Sequence, residues 1–447
     1  MSFLRSVAVL VGGTALGHGI TAAALPLLSR LYSPADFSLL AVFSSLAAIL
    51  SVAACLRFDI AIPLPQDDRE AMDLLTMSLL SALLVSLGLL AFVLLAPHWI
   101  VTQLKLPALQ PYLWLLPIAV LLASVYSALQ MWFVRQKAFS LIARSRVIQS
   151  AASSAVQVGS GVWTHSPAGL LIGHMLNTGV ACIVLSLKLF SGTQYRAMVQ
   201  GTTLQSLKGT WQSHARFPKY STWEALCNSA AIQLPVILIA SLAAPAEAGH
   251  LMLATYVMQA PMALIGGAVG QVYLSHAAHE HQQGQLHTFT AKLLHGMVKT
   301  GVGPLLAVGI TAPMAFGLIF GTEWTRAGAL VAWMTPWFIV QFLATPVSMA
   351  LHITGHQRAA FFLQVANLGI RVLSVWAVAH FAARWMSETY ALSGLVVYSA
   401  YLFLVLRFTR VDARSVSRII RDNMPLLGLY ILAAVVAVLV LRMIQSA

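Results

Sequence analysis

The sequence predicts an all-α integral membrane protein of about thirteen transmembrane helices, and three observations carry that prediction. Hydrophobic residues make up 59% of the chain and charged residues 9%, where a soluble domain carries about 25% charged. Apolar stretches of about 20 residues recur from end to end, each long enough to cross a hydrocarbon core of about 30 Å, and the mean hydropathy is +0.81. Basic residues gather in alternate loops, which is how a membrane chain encodes its orientation.

Reading apolar runs against polar breaks places spans near 6–28, 37–56, 72–95, 111–134, 147–163 and 168–190. After a polar stretch, more fall near 217–242, 249–274, 296–319, 328–351, 360–383, 390–408 and 424–443. The first is too long for a signal-peptide core and lacks a cleavage site, so it reads as a retained helix. The fifth is the most polar, with Gln149, Gln157 and several serines.

With the N-terminus cytoplasmic, the inner loops hold about twenty Lys and Arg and the outer ones about five. Among the outer ones are Arg30, Lys105, Arg326 and Arg384. An odd span count leaves the C-terminal tail outside. The formal charge of +13 is therefore a topology signal, and nucleic acid is excluded as a partner. Cys55, Cys182 and Cys227 show no metal-ligand spacing and no disulfide framework. No metal and no cofactor is expected.

An internal repeat divides the chain. Pro26 is followed by the turn Ser33-Pro34-Ala35-Asp36, and Pro235 by Ala244-Pro245-Ala246-Glu247. In each copy an acid lies at the start of the next helix, near its positive end. Parallel repeats of this kind build many transporters, with substrate bound between the halves.

Several motifs in order resemble the polysaccharide flippase family. In the first half they are 29–37, through Ser33-Pro34, and 56–65, containing Arg57-Phe58-Asp59. In the second half they are 217–235, 259–271, Phe320-Gly321-Thr322-Glu323-Trp324, and 335–348. The resemblance covers roughly residues 1–410 and implies two pseudo-symmetric six-helix lobes around a central cavity; the thirteenth span, Asn423 to Met443, departs from that twelve-helix core as one extra C-terminal helix. That division is 1–190, a cytoplasmic linker 191–215, 216–410, and a basic loop with an added span over 411–447.

The resemblance further implies the substrate, a glycan carried on undecaprenyl pyrophosphate, and a bacterial inner-membrane location. It implies polysaccharide polymerase and glycosyltransferases as functional partners, beside the lipid bilayer itself.

Such a protein breaks no covalent bond. It must shelter a sugar head and a pyrophosphate from hydrocarbon, so ionisable residues stranded inside the membrane are its candidates. Arg371 lies deep in the eleventh span; facing lipid it would cost about 2.5–3.5 kcal/mol. It should face a cavity or a partner, and is the leading pyrophosphate ligand. Arg57, Arg30, Arg216 and Lys219 complete the candidate substrate set. Arg57 and Asp59 are placed at the end of the second helix, two apart and so not facing each other. Asp59 and Glu224 are the candidates for proton or sodium coupling.

The expected function is translocation of a lipid-linked oligosaccharide by alternating access. The alternative on the same fold is cation-coupled export of small molecules, which would favour an acidic cavity rather than stranded arginines. A membrane enzyme is disfavoured: the outer loops are short, Glu323 and Glu388 stand alone, and no phosphate loop or nucleophile constellation is present.

Overall fold

A computed structural model describes residues 3–164, 166–191, 203–262 and 266–446. Every regular element among the described residues is helical, and the predicted spans fall on helices with two corrections: 249–274 is divided between the helices Glu247–Pro261 and Gly267–Gln282, and 328–351 runs past the end of the helix Thr325–Ala344. Among the described residues, nine segments are long and apolar enough by themselves to cross a membrane.

In the first half, α1 covers Phe3–Leu31, α2 Pro34–Ala54, α3 Asp68–Leu95 and α4 Pro97–Leu104. Then come α5 Leu115–Arg135, α6 Phe139–Thr164, α7 Ala168–Phe190 and the short α8 Leu204–His214. In the second half, α9 covers Thr222–Leu242, α10 Glu247–Pro261, α11 Gly267–Gln282 and α12 Leu286–Met297. They are followed by α13 Gly303–Phe320, α14 Thr325–Ala344, α15 Ala350–Ile353, α16 Gln357–Ala382, α17 Met386–Phe408 and α18 Ala413–Ser446. Part of the expected linker, 192–202, lies outside the described residues, as does Arg196 within it.

The helices group into two compact units. One comprises Met1–Ala24 and Leu39–Ser241, the other Leu25–Ser38 and Leu242–Ala447. This is a division by contact, whereas 1–190 and 216–410 is a division by repeat. The two differ in where they put α9 and the α1–α2 turn.

In the first unit the polar fifth span is explained by packing. Ser153 donates from its hydroxyl to the Gly173 carbonyl at 2.7 Å, and Gln157 from its amide to Leu170 at 3.3 Å. The polar face of α6 is thus turned onto α7 rather than lipid, where such bonds hold helices together. Gly173 is required there, since a Cβ would overlap the Gln157 side chain. At the end of α5, Arg135 donates to Asp68 at 2.8 Å and to the carbonyls of Pro65 and Gln66. A residue expected only to signal topology also fastens the loop before α3.

In the second unit the repeated turns prove to be used differently. Ser33 donates from its backbone and hydroxyl to Asp36 at 2.9 and 2.8 Å, and Asp36 N–H donates back to Ser33 at 3.3 Å. This reciprocal cap starts α2. The matching turn has Ala244 where the cap needs a hydroxyl, and Glu247 reaches instead to Arg326. The motif 320–324 is a latch. Gly321 takes φ +109° to end α13, a backbone conformation that favours glycine. Trp324 then donates to the Ser29 carbonyl at 2.8 Å and meets Phe37 edge-on.

The added C-terminal helix belongs to this unit's packing. Tyr430 of α18 lies on Gly303 at the start of α13, in space that any side chain at 303 would fill.

Candidate functional site

Arg371 sits on a polar stripe of α16, with Asn367 one turn before it and Gln364 a further turn back, on one face of the helix. Its side chain is 1% exposed. Its guanidinium carbon lies 4.5 Å from the centre of the Trp337 ring on α14 and 4.2 Å from that of Tyr390 on α17. The sequence requires a cavity or a partner for this charge; the structure supplies a pair of aromatic faces. Gly394, one turn beyond Tyr390, makes room for them, since a Cβ there would overlap the Trp337 indole.

No carboxylate pairs with Arg371 among the described residues. Nε and Nη2 of Arg371, Nε1 of Trp337, Oδ1 of Asn367 and Oε1 of Gln341 are buried with no hydrogen-bond partner described. Two cation–π contacts contribute about 0.5–2 kcal/mol each, against a desolvation cost of several kcal/mol for a buried ion. The arrangement is a donor-rich, acid-free cationic centre, suited chemically to an anion.

Arg57 and Asp59 require a correction. The second helix ends at Ala54, and both residues lie beyond it, so the helical spacing argument does not apply to them. Leu56 and Arg57 take φ of 49° and 60°, reversing the chain into a short 3-10 turn, Asp59–Ala61. The turn is anchored by Phe58 and Ile62, which are fully buried against Met72, Leu75 and Trp132. That burial holds the flanking charges in place. Asp59 is 5% exposed and accepts from the Ser127 hydroxyl at 2.6 Å. Its other oxygen and Arg57 Nε are buried without a described partner.

Arg216, Lys219 and Glu224 cluster around a π-helical turn, Phe217–Ser221, that leads into α9. All three side chains are exposed, and no ion pair joins Lys219 to Glu224 among the described residues. Such turns often mark functional sites. Arg30 is also exposed and donates to the Leu318 carbonyl at 3.1 Å, in the last turn of α13, where a cation complements the helix dipole.

One charged cluster was not visible in the sequence. Arg326 donates from Nη2 and Nε to the Glu247 carboxylate at 2.8 and 3.3 Å, and its Nη1 lies 2.7 Å from Oε1 of Glu388. Glu388, expected to stand alone, is half of an ion pair. Its 3.6-residue period would place it on a helix face, but nothing in the sequence names its partner. Glu323 remains unpaired by side chain among the described residues, while its carbonyl accepts from His250 at 2.9 Å.

This bundle of long apolar helices has a fold shared with solved membrane proteins. The chain is similar to the lipid II flippase MurJ in an inward closed conformation, with a TM-score of 0.73 at 10% identity. The match covers 99% of this chain and 98% of that one. It is similar to an inward-facing multidrug resistance MATE family transporter of the MOP superfamily, with a TM-score of 0.59 at 13% identity, covering 92% and 96%. A eukaryotic MATE transporter, AtDTX14, matches with a TM-score of 0.59 at 14% identity, covering 93% and 98%. No curated protein sequence matches the chain. Residues 27–329 match the polysaccharide biosynthesis protein family, and the chain belongs to that family.

Proposed function

We propose that the chain flips an undecaprenyl-pyrophosphate-linked oligosaccharide repeat unit from the cytoplasmic to the outer leaflet of a bacterial inner membrane, by alternating access. The single observation that carries the reading is Arg371: a buried guanidinium held by Trp337 and Tyr390, with two nitrogens unpartnered and no acid paired with it among the described residues. A charge kept at such cost is a functional residue by default. A pyrophosphate would supply the acceptors that Arg371 lacks, with charge-assisted bonds shorter and stronger than neutral ones.

The family supports a polysaccharide precursor, and the lipid II flippase fold supports a lipid-linked one. Arg57, Arg216 and Lys219 are proposed to meet the same anion during its passage. Asp59 and Glu224 are proposed to couple the movement to a proton or sodium gradient. Arg30 is proposed to serve substrate only through the helix end that it caps. Polymerase and glycosyltransferases would act on the product and supply the substrate. The chain itself would do no covalent chemistry.

The test is complementation. A deletion strain should lose surface glycan and accumulate lipid-linked repeat units on the cytoplasmic face, and the chain should restore export while Arg371→Ala, at equal protein level, should not. Unchanged surface glycan in the deletion strain, with no second flippase, would sink the proposal. Altered drug accumulation in that strain instead would favour small-molecule export.

A further inference from the structure

Beside the Arg326 cluster, within the second unit, lies a cavity of about 530 Å³, in the range of small-molecule pockets. Trp333, Trp385, Glu247, Glu388, Arg326 and Arg384 line it. Three of its features specify a ligand.

Trp333 and Trp385 are 44% and 43% exposed and meet edge to face with ring centroids 6.5 Å apart. They present broad apolar surface on two sides of one recess. Glu388 is 4% exposed; its Oε1 is held by Arg326, while Oε2 is buried with no partner among the described residues. A buried acceptor left unmade is unfavourable, so a small side-chain movement that opens Oε2 to a donor in the cavity is favoured. Finally, Arg384 lies 5.7 Å from the Trp385 ring centre, and two guanidiniums balance two carboxylates. A recess with no net charge favours neither a polyanion nor a metal ion, and both carboxylates face Arg326 already.

We infer that this cavity binds a neutral sugar ring. The apolar C–H face of a pyranose would lie on Trp333 or Trp385, as flat apolar surface does on an aromatic ring. A sugar hydroxyl would donate to Glu388 Oε2, and the arginines would donate to ring and hydroxyl oxygens. The inference rests on the proposed function for where the sugar comes from. In the orientation proposed from the loops, this end of the unit faces away from the cytoplasm, and the recess would receive the glycan as it leaves. Arg371 would hold the phosphate end, and this cavity the carbohydrate end, of one amphipathic cargo.

The test uses the full chain in lipid nanodiscs and saturation-transfer NMR with free glucose, galactose, mannose, rhamnose, N-acetylglucosamine and N-acetylgalactosamine. At least one sugar should receive saturation at its ring C–H protons. Trp333→Ala and Trp385→Ala, both surface changes, should each weaken binding by about fivefold, the loss of one aromatic face. Glu388→Gln should weaken it too, and Gly19→Ala, in the first unit with open space around the added methyl, should leave it unchanged. A thermal melt reports whether Glu388→Gln folds; if it does not, the tryptophan variants decide alone. No transfer to any of the sugars, equal transfer in the tryptophan variants, or displacement by pyrophosphate would overturn the inference. Lost glycan export in the deletion strain with no sugar binding removes this site and leaves the flippase reading. Sugar binding with normal export in that strain does the reverse.

Discussion

The guanidinium carbon of Arg371 lies 4.2 Å from the centre of the Tyr390 ring, and both side chains are buried. An arginine held by ring faces rather than by a carboxylate keeps its hydrogen-bonding capacity for something else. A salt bridge at this depth would occupy the donors; an aromatic sandwich stabilises the charge and leaves Nε and Nη2 free of described partners.

That relationship separates stability from function. Arg371→Leu fills similar space without a buried ion, and replacing buried ions by apolar groups is often neutral or stabilising. The variant is expected to melt within a few degrees of the wild type, equivalent to about 1 kcal/mol, while export is lost. Measurement of both in detergent and in the complemented strain checks it. A large fall in melting temperature would make the sandwich a structural clamp.

Arg326 behaves in the opposite way. Arg326→Ala strands Glu247 and Glu388 in a largely buried site. Breaking a buried pair costs about 3–5 kcal/mol; with Arg326 one-third exposed, screening reduces this to about 2 kcal/mol. The triple variant Arg326→Ala, Glu247→Gln, Glu388→Gln should recover much of the loss. Thermal unfolding of the single and triple variants reads the difference, and equal melting temperatures would remove the pairing from the stability argument.

Gly249 meets backbone rather than side chain. A Cβ there would overlap the Pro34 carbonyl oxygen, which cannot swing aside as a side chain could. Gly249→Ala is expected to cost about 1–3 kcal/mol, as overpacking does, and to lower protein level. Gly19→Ala, with open space around the added methyl, is the control. Equal accumulation of the two variants would show that α10 shifts freely.

Asp59 provides a test of coupling. Asp59→Asn keeps an oxygen able to accept from Ser127 but removes the charge. It should leave protein level near normal and flatten the dependence of export on a proton or sodium gradient, measured in everted vesicles. Ser127→Ala, which loses one hydrogen bond to the Asp59 carboxyl of about 1 kcal/mol or more, should weaken export without removing gradient dependence. Unaltered gradient dependence in Asp59→Asn would transfer the coupling role to Glu224 or away from both.

Much of the architecture could be read from residues alone because a bilayer imposes it locally. A span must close its own backbone hydrogen bonds, so length and hydropathy located the helices, even the polar α6. The caps were legible for the same reason: Ser33, Pro34 and Asp36 act within one turn. Where the sequence reading erred, it extended local rules too far. It carried helical spacing across Arg57 and Asp59, where buried Phe58 and Ile62 hold a non-helical turn, and it took two similar turns as equivalent although Ala244 cannot cap.

Sequence by itself therefore determined the membrane helices and which charges were stranded among them. Tertiary structure decided what those charges do. Arg371 has no acid within its own helix turn and finds Trp337 and Tyr390 only because α14, α16 and α17 pack together; Arg326 meets Glu247 across 79 residues of chain. Helix formation is set by neighbours along the chain, whereas the partner of a buried charge is set by which helix faces converge, and burial makes that choice energetically decisive.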